Sequence, residues 1–342
     1  MSPGAAHTGR CTVSGSPPSQ PQPRPTVKSL PDRLRIASRK SRLALWQSEH
    51  VAAQLRQRHP DMAIEVIGMS TEGDRVLDRP LHEVGGKGLF TKELELALLR
   101  GDADLAVHSL KDVPMRLEED FMLAAVLERE DPRDAWVSTR YPHREDLPEG
   151  ATVGTSSLRR ESQLRAWRAD LQVVPLRGNL DTRLAKLDRG EYDGILLAAA
   201  GLRRLGLGAR IASTIAPEDM LPAAGQAALA LECLAGRDDI VAVLSSLEHQ
   251  PTALAVGAER ELCLRLGGNC KVPLAAHASF DGRLLRLRGC VADPAGLLYR
   301  KEHRAQVDCP EDARRLGAQL AQAFLDAGLQ PWGSASASAW QS

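Results

Sequence analysis

Short apolar runs that stop abruptly in polar turns, alternating with helix-patterned segments, constrain this chain more than any other feature. Leu34–Ser38 reads as a strand, a helix runs from about Leu43 to Arg58 with Trp46, Val51 and Leu55 as its buried stripe, His59-Pro60 ends it, and Ala63–Met69 reads as a second strand. Strands joined through a helix pair in parallel, and such strands are buried on both faces. The pattern continues with a helix from about Phe90 to Leu99, a stop at Arg100-Gly101, and strand Leu105–Val107. It returns where Leu187–Asp193 leads through Arg189-Gly190 and an acidic turn into strand Gly194–Ala198. The echo predicts two similarly built α/β lobes.

In open α/β sheets ligands bind beyond the carboxyl ends of the strands. The stretch Asp104–Pro114 therefore matters: its apolar run ends in His108, Ser109, Lys111 and Asp112, closed by Pro114. Other strand ends carry Arg. Arg39, Lys40 and Arg42 follow the first strand; Thr155-Ser156-Ser157 and then Arg159-Arg160 follow strand Ala151–Gly154; Arg177 follows Val173–Leu176, with Arg183 one helical turn on. Two Arg in a helix's first turn oppose the helix dipole, so their placement predicts an anion there. Gly85-Gly86-Lys87-Gly88 lacks the spacing of a nucleotide phosphate loop and reads as a Gly-rich loop carrying one Lys.

Lys+Arg 44 balances Asp+Glu 44, and aromatics are 4%, which weighs against a nucleic-acid binder. No apolar run approaches the roughly 20 residues of a membrane span. The six Cys form no Cys-x-x-Cys pair, and no His-Glu-x-x-His occurs, so no metal site or disulfide framework is expected. The first 31 residues are Ser-, Pro-, Gly- and Gln-rich without an acid and read as a disordered extension, with a transit peptide as the alternative.

Beyond Pro251 the texture changes. A helix from Thr252 to Leu266 with the stripe Leu254, Ala258, Leu262 and Leu266 is followed by strand-like runs at Leu274–Ser279, Leu284–Val291 and Leu298–Gln306, and by a helix from about Glu311 to Ala327. This predicts a small α+β domain. Cys270 lies on its Gly-rich loop beside Lys271, a cation that favours thiolate; Cys233, Cys263 and Cys290 read as structural.

Ile36–Arg39, Val84–Phe90, Val107–Pro114, Glu130–Asp134, Val153–Arg160, Leu176–Asn179, Leu196–Gly206 and the Cys270 loop, in this order, resemble the porphobilinogen deaminase (hydroxymethylbilane synthase) family. The resemblance implies two periplasmic-binding-protein-like lobes with doubly wound sheets plus a small α+β C-terminal domain. The expected division is residues 32–131 plus 222–245 for the first lobe, 132–221 for the second and 246–331 for the C-terminal domain, flanked by the extension 1–31 and a flexible tail 332–342. It implies a transferase that joins four porphobilinogen molecules head to tail, with loss of ammonia, into hydroxymethylbilane for tetrapyrrole (haem) synthesis. It implies a dipyrromethane cofactor bound to Cys270 by a thioether, and Asp112 as the catalytic carboxylate that protonates the departing amine, stabilises cationic azafulvene and pyrrolium states, and takes up the ring proton. Lys111, Ser109, Thr155, Ser157, Arg159 and Arg160 match cofactor-binding positions; Arg39, Ser41, Lys87, Ser156, Arg177, Arg183 and Gln226 match substrate-binding ones. A cytoplasmic monomer is implied. Asn269 and Ala228 stand where the family favours Gly. The competing reading is a non-catalytic two-lobed binding protein for carboxylate ligands.

Overall fold

The computed structural model describes residues 30–71, 90–268, 272–293 and 295–329. The chain opens with β1 (Arg33–Arg39), α1 (Arg42–Arg58), β2 (Ala63–Met69), α2 (Lys92–Leu99), β3 (Leu105–Ser109), a 3₁₀ turn Leu110–Asp112 and β4 (Phe121–Val126). It crosses to β5 (Asp134–Val137), β6 (Thr152–Gly154), α3 (Leu158–Trp167), β7 (Gln172–Val174), α4 (Leu180–Asp188), β8 (Gly194–Ala198), α5 (Ala199–Arg204) and β9 (Ser213–Thr214). It then returns through β10 (Leu229–Leu234) and α6 (Asp238–Leu244) to α7 (Gln250–Arg265), β11 (Leu274–Asp281), β12 (Leu284–Ala292), β13 (Leu298–Gln306) and α8 (Pro310–Asp326).

The first sheet has the order β2-β1-β3-β10-β4 and the second β7-β6-β8-β5-β9. In each, the first three strands are parallel and the fourth runs antiparallel to its neighbours. The expected doubly wound sheets are thus mixed, because each fourth strand follows a crossing between the lobes. β5 enters the second sheet after the first crossing, and β10 enters the first sheet after the second. The sequence echo falls on equivalent places: α2 and α4 end at Gly101 (φ 68°) and Gly190 (φ 78°) and lead into the third strand of each sheet.

The apolar pattern explains the layers. Leu34, Ile36, Leu105 and Val107 pack against Val51 and Leu55 of α1 on one face of the first sheet, while Ala37, Ala106 and Phe121 pack against Leu94 and Leu98 of α2 on the other. Trp46, expected in the α1 core stripe, is instead half-buried, stacked on His50 with Arg204 5.9 Å from its ring. The C-terminal body buries the expected stripe Leu254, Ala258, Leu262 and Leu266 against β12 and Phe324 of α8. One residue ties this body to both crossings. Glu259 of α7, fully buried, accepts from Arg129 through two nitrogens at 2.7 Å, from the Gly225 N–H at 2.7 Å and from the Ala278 N–H at 2.7 Å.

The second crossing contains the one non-glycine residue with positive φ among the described residues, Ala227 at 72°. The place that favours glycine after Gly225-Gln226 is therefore Ala227 and not Ala228, which is buried with ordinary backbone. A left-handed L-residue costs about 1–2 kcal/mol, and glycine's extra chain entropy returns about 0.5–1 of it. Ala227→Gly is expected to raise stability by about 0.5–1 kcal/mol, read as a higher urea midpoint. A lower midpoint would mean that packing of the methyl group outweighs the backbone term.

Candidate active site

β3 delivers Asp112. Its apolar residues are buried between α1 and α2, and the chain then turns through Leu110–Asp112, with Leu110 fully buried and its N–H bonded to the Ala228 carbonyl at 3.0 Å. That anchor fixes the turn and leaves Lys111 and Asp112 half-buried at the mouth. Asp112 shares a small cleft with Arg39, Phe90, His108 and Ser109. Arg39, at the end of β1, lies 4.2 Å from the centre of the Phe90 ring. Ser109 accepts from Gln47 Nε2 at 2.8 Å, and Ser41 caps α1 by accepting the Ala44 N–H at 3.3 Å.

The second lobe contributes cations. Arg159 and Arg160 open α3, both buried, and both clamp Asp134 at the start of β5. Arg159 Nη1 bonds Oδ2 at 2.7 Å, Arg160 Nη2 bonds Oδ1 at 2.7 Å, and Gln226 Nε2 adds a bond to Oδ1 at 2.9 Å. The anion that the sequence predicted beside this Arg pair is thus partly internal. Burial pushes the Asp134 carboxyl up, but Arg159 and Arg160 together outweigh it and hold it well below the usual carboxylate range. Two guanidiniums on one carboxylate leave one positive charge uncompensated. Arg160 and Asp112 both act electrostatically on Arg183, as does Arg177. Burial pulls the Arg183 guanidinium down to about 10, and its Nε donates to the Gly178 carbonyl at 2.8 Å. Lys111 is pushed down to about 8, first by desolvation, with Asp112 opposing and Arg160 reinforcing.

The hydroxyls serve the loops. Ser156 Oγ donates to the Leu176 carbonyl and accepts its N–H, both at 3.0 Å, and Thr155 Oγ1 accepts the Ser157 N–H at 3.2 Å. Ser157 occupies the N-cap of α3 with no side-chain capping bond. Lys111 is thus within electrostatic reach of Asp112, Arg159 and Arg160, and Arg183 within reach of Asp112, Arg160 and Arg177. The structure places Gln226 behind the Arg pair, and Arg42 bridges the lobes through Asp181 at 3.1 Å.

Residues 34–242 match the family profile described as porphobilinogen deaminase, dipyromethane cofactor binding domain, and residues 253–326 match the porphobilinogen deaminase C-terminal domain. The chain belongs to the porphobilinogen deaminase family. A porphobilinogen deaminase of Ralstonia nicotianae is 57% identical over 309 residues, 89% of this chain and 92% of its own. One of Chromobacterium violaceum is 55% identical over 88% of this chain and 96% of its own. A solved structure, the periplasmic aliphatic sulphonate binding protein of Escherichia coli, is 17% identical with a TM-score of 0.40 over 88% of this chain and 89% of its own.

Two expected site residues of this porphobilinogen deaminase family member, Lys87 and Cys270, lie outside the described residues, as do Asn269, the segment 1–29 and the tail. The cysteines expected to be structural are buried, and burial pushes the thiols of Cys233, Cys263 and Cys290 up to about 11, 12 and 11. Sequence reasoning missed three residues as parts of the site. Asp134 was legible as a charge at the start of an apolar strand, a position that needs a partner. Glu232 gave the same signal inside the apolar run Leu229–Leu234, and His108 stood in the polar end of the Asp104–Pro114 stretch, but their partnership was not legible, because the contact joins β3 to β10 across 124 residues of sequence.

Proposed function

We propose that Asp112 is the proton-transferring residue of the porphobilinogen deaminase reaction. The observation that carries this is its position: a carboxylate at the mouth of β3, facing a cationic wall from the other lobe. The family reaction is a transfer in which four porphobilinogen units are joined with release of ammonia, and the competing reading, a binding protein without turnover, is not favoured by the family. Each pyrrole carries an acetate and a propionate, so a growing chain adds two carboxylates per ring. The uncompensated charge of the Arg159–Arg160–Asp134 cluster, with Arg183 and Lys111, fits such a group. The dipyrromethane, when bound, supplies the pyrrole to which the first substrate is joined. Lys111, Arg159, Arg160 and the hydroxyls of Ser109, Thr155 and Ser157 would hold it; Arg39, Ser41, Lys87, Ser156, Arg177, Arg183 and Gln226 would serve the substrate. Asp112 protonates the departing amine and takes up the ring proton, and its negative charge stabilises the cations between. General acid–base help of this kind is worth about 10²–10⁴-fold.

We assign cofactor attachment to Cys270, the lobes to 32–131 plus 222–245 and 132–221, and the C-terminal domain to 246–331. Among the described residues no helix is long and apolar enough to cross a membrane; a cytoplasmic monomer is our reading. Intact mass tests the attachment. The wild-type protein, incubated with porphobilinogen, is expected to exceed its sequence mass by two linked pyrrole units, and Cys270→Ser to lack the excess. An unmodified wild type would overturn the assignment.

A further inference from the structure

Behind Asp112 the structure buries a second pair of titratable groups. His108 Nε2 lies 2.8 Å from Glu232 Oε2, the His108 side chain is 5% exposed and that of Glu232 0%. His108 is the last residue but one of β3, four before Asp112, and it lines the same cleft as Asp112, Arg39 and Ser109. Glu232 Oε1 is buried without a hydrogen-bond partner among the described residues. A carboxylate so desolvated is held by its single bond to the imidazole. Against an ionised carboxylate, which only accepts, Nε2 is the donor and the ring's other nitrogen is the one that faces a proton. Among the described residues that second nitrogen makes no hydrogen bond and is not among the buried unpartnered atoms. A histidine with a carboxylate behind it and an available nitrogen in front is the arrangement of a general base or proton carrier.

Such a carrier has a place in the reaction. An aminomethyl substrate enters near neutral pH as an ammonium, because alkylamines titrate near about 10. Its C–N bond breaks with the electron pair on nitrogen, and ammonia leaves. The new C–C bond takes its pair from the acceptor α-carbon, and the C–H pair then returns to the ring as the proton departs. Asp112 receives that proton, and the protonation of the departing amine assigned to it above is the delivery of this same proton to the nitrogen, which returns Asp112 to carboxylate for the next addition. We propose that His108, backed by Glu232, is the residue that takes this proton from Asp112 through a water molecule and passes it to the departing ammonia, which leaves as ammonium. Atoms and charge balance: one alkylammonium and one ring C–H become one C–C bond and one ammonium ion.

The groups that bear on His108 are few. Glu232 faces it from β10, Glu95 acts on it from α2, Arg39 and Asp112 share its cleft, Arg260 acts on Glu232 and Glu118 on Glu95.

The inference rests on Asp112 being the proton-transferring residue, so both are tested together in cofactor-loaded protein checked by intact mass. His108→Gln is expected to lower kcat by about 10–100-fold with KM within about threefold. In His108→Ala, added imidazole is expected to restore turnover about tenfold. Glu232→Gln keeps a hydrogen-bonding group but removes the carboxylate behind His108, so kcat should fall about tenfold with KM nearly unchanged. Wild-type kcat in His108→Gln or in Glu232→Gln overturns the relay. Should His108→Ala fail to fold, those two variants decide. Asp112→Ala run in parallel separates the readings: full turnover there overturns the Asp112 assignment itself, whereas an inactive Asp112→Ala beside a fully active His108→Gln overturns only the relay.

Discussion

Asp112→Ala is expected to lower kcat by about 10³-fold or more while the protein still folds. The side chain is half-buried at the end of a turn whose fixed points are elsewhere, in Leu110 and its bond to Ala228. Its removal therefore opens no core cavity and orphans no hydrogen-bond partner, since no bond to its carboxylate is formed within the described residues. What it removes is the negative charge facing Lys111 and Arg183. Binding of the anionic substrate should not weaken, because a repelling carboxylate is gone, so the loss should fall on kcat and not on KM. Asp112→Glu, which keeps the charge on a longer arm, should recover part of the rate. Turnover of Asp112→Ala within tenfold of wild type would exclude it as the proton-transferring group.

Asp134→Ala is expected to cost about 3–5 kcal/mol, because removing one partner of a buried ion pair strands the other, and here two guanidiniums are stranded. Freed Arg159 and Arg160 are also expected to repel each other and leave the positions that Asp134 and the carbonyls of Leu221 and Leu196 now hold, and, on the proposed assignment of these two residues to the cofactor, cofactor content by intact mass should fall. Asp134→Asn, still an acceptor, should fall between. The pH dependence has a definite sign. The native Asp134 carboxyl titrates well below its unfolded value of about 3.9, so its stabilisation is complete above that value and is lost as pH falls toward the native one. The acid limb of wild-type stability should therefore be steeper than that of Asp134→Asn. Equal limbs, or a thermal midpoint of Asp134→Ala near wild type, would show that the cluster does not hold the lobe together.

Most of the architecture was legible in the sequence where local pattern encodes burial. The runs of β1, β2, β3 and β8, the helix stops at Gly101 and Gly190 and the core stripe of α7 all follow from residues close in the chain. β4 was not legible: Phe121-Met122-Leu123-Ala124-Ala125-Val126 mixes helix formers with apolar residues, and only its pairing with β10 makes it a strand. The mixed direction of the two sheets escaped for a related reason, because β5 and β10 take their places after crossings that no local period records.

The same division runs through the site. The sequence by itself determined that Asp112 ends a buried strand and that Arg residues gather at strand ends, since both follow from a change of polarity within a few residues. Only the tertiary structure decided that Arg159 and Arg160 meet at Asp134, 25 and 26 residues away, with Gln226 arriving from 92 residues away. Only it set the positive φ on Ala227 and brought Glu232 to His108. Hydrophobic burial is specified residue by residue along each element, whereas a buried charge is specified by its partner, and these partners come from strands and crossings far apart in the chain.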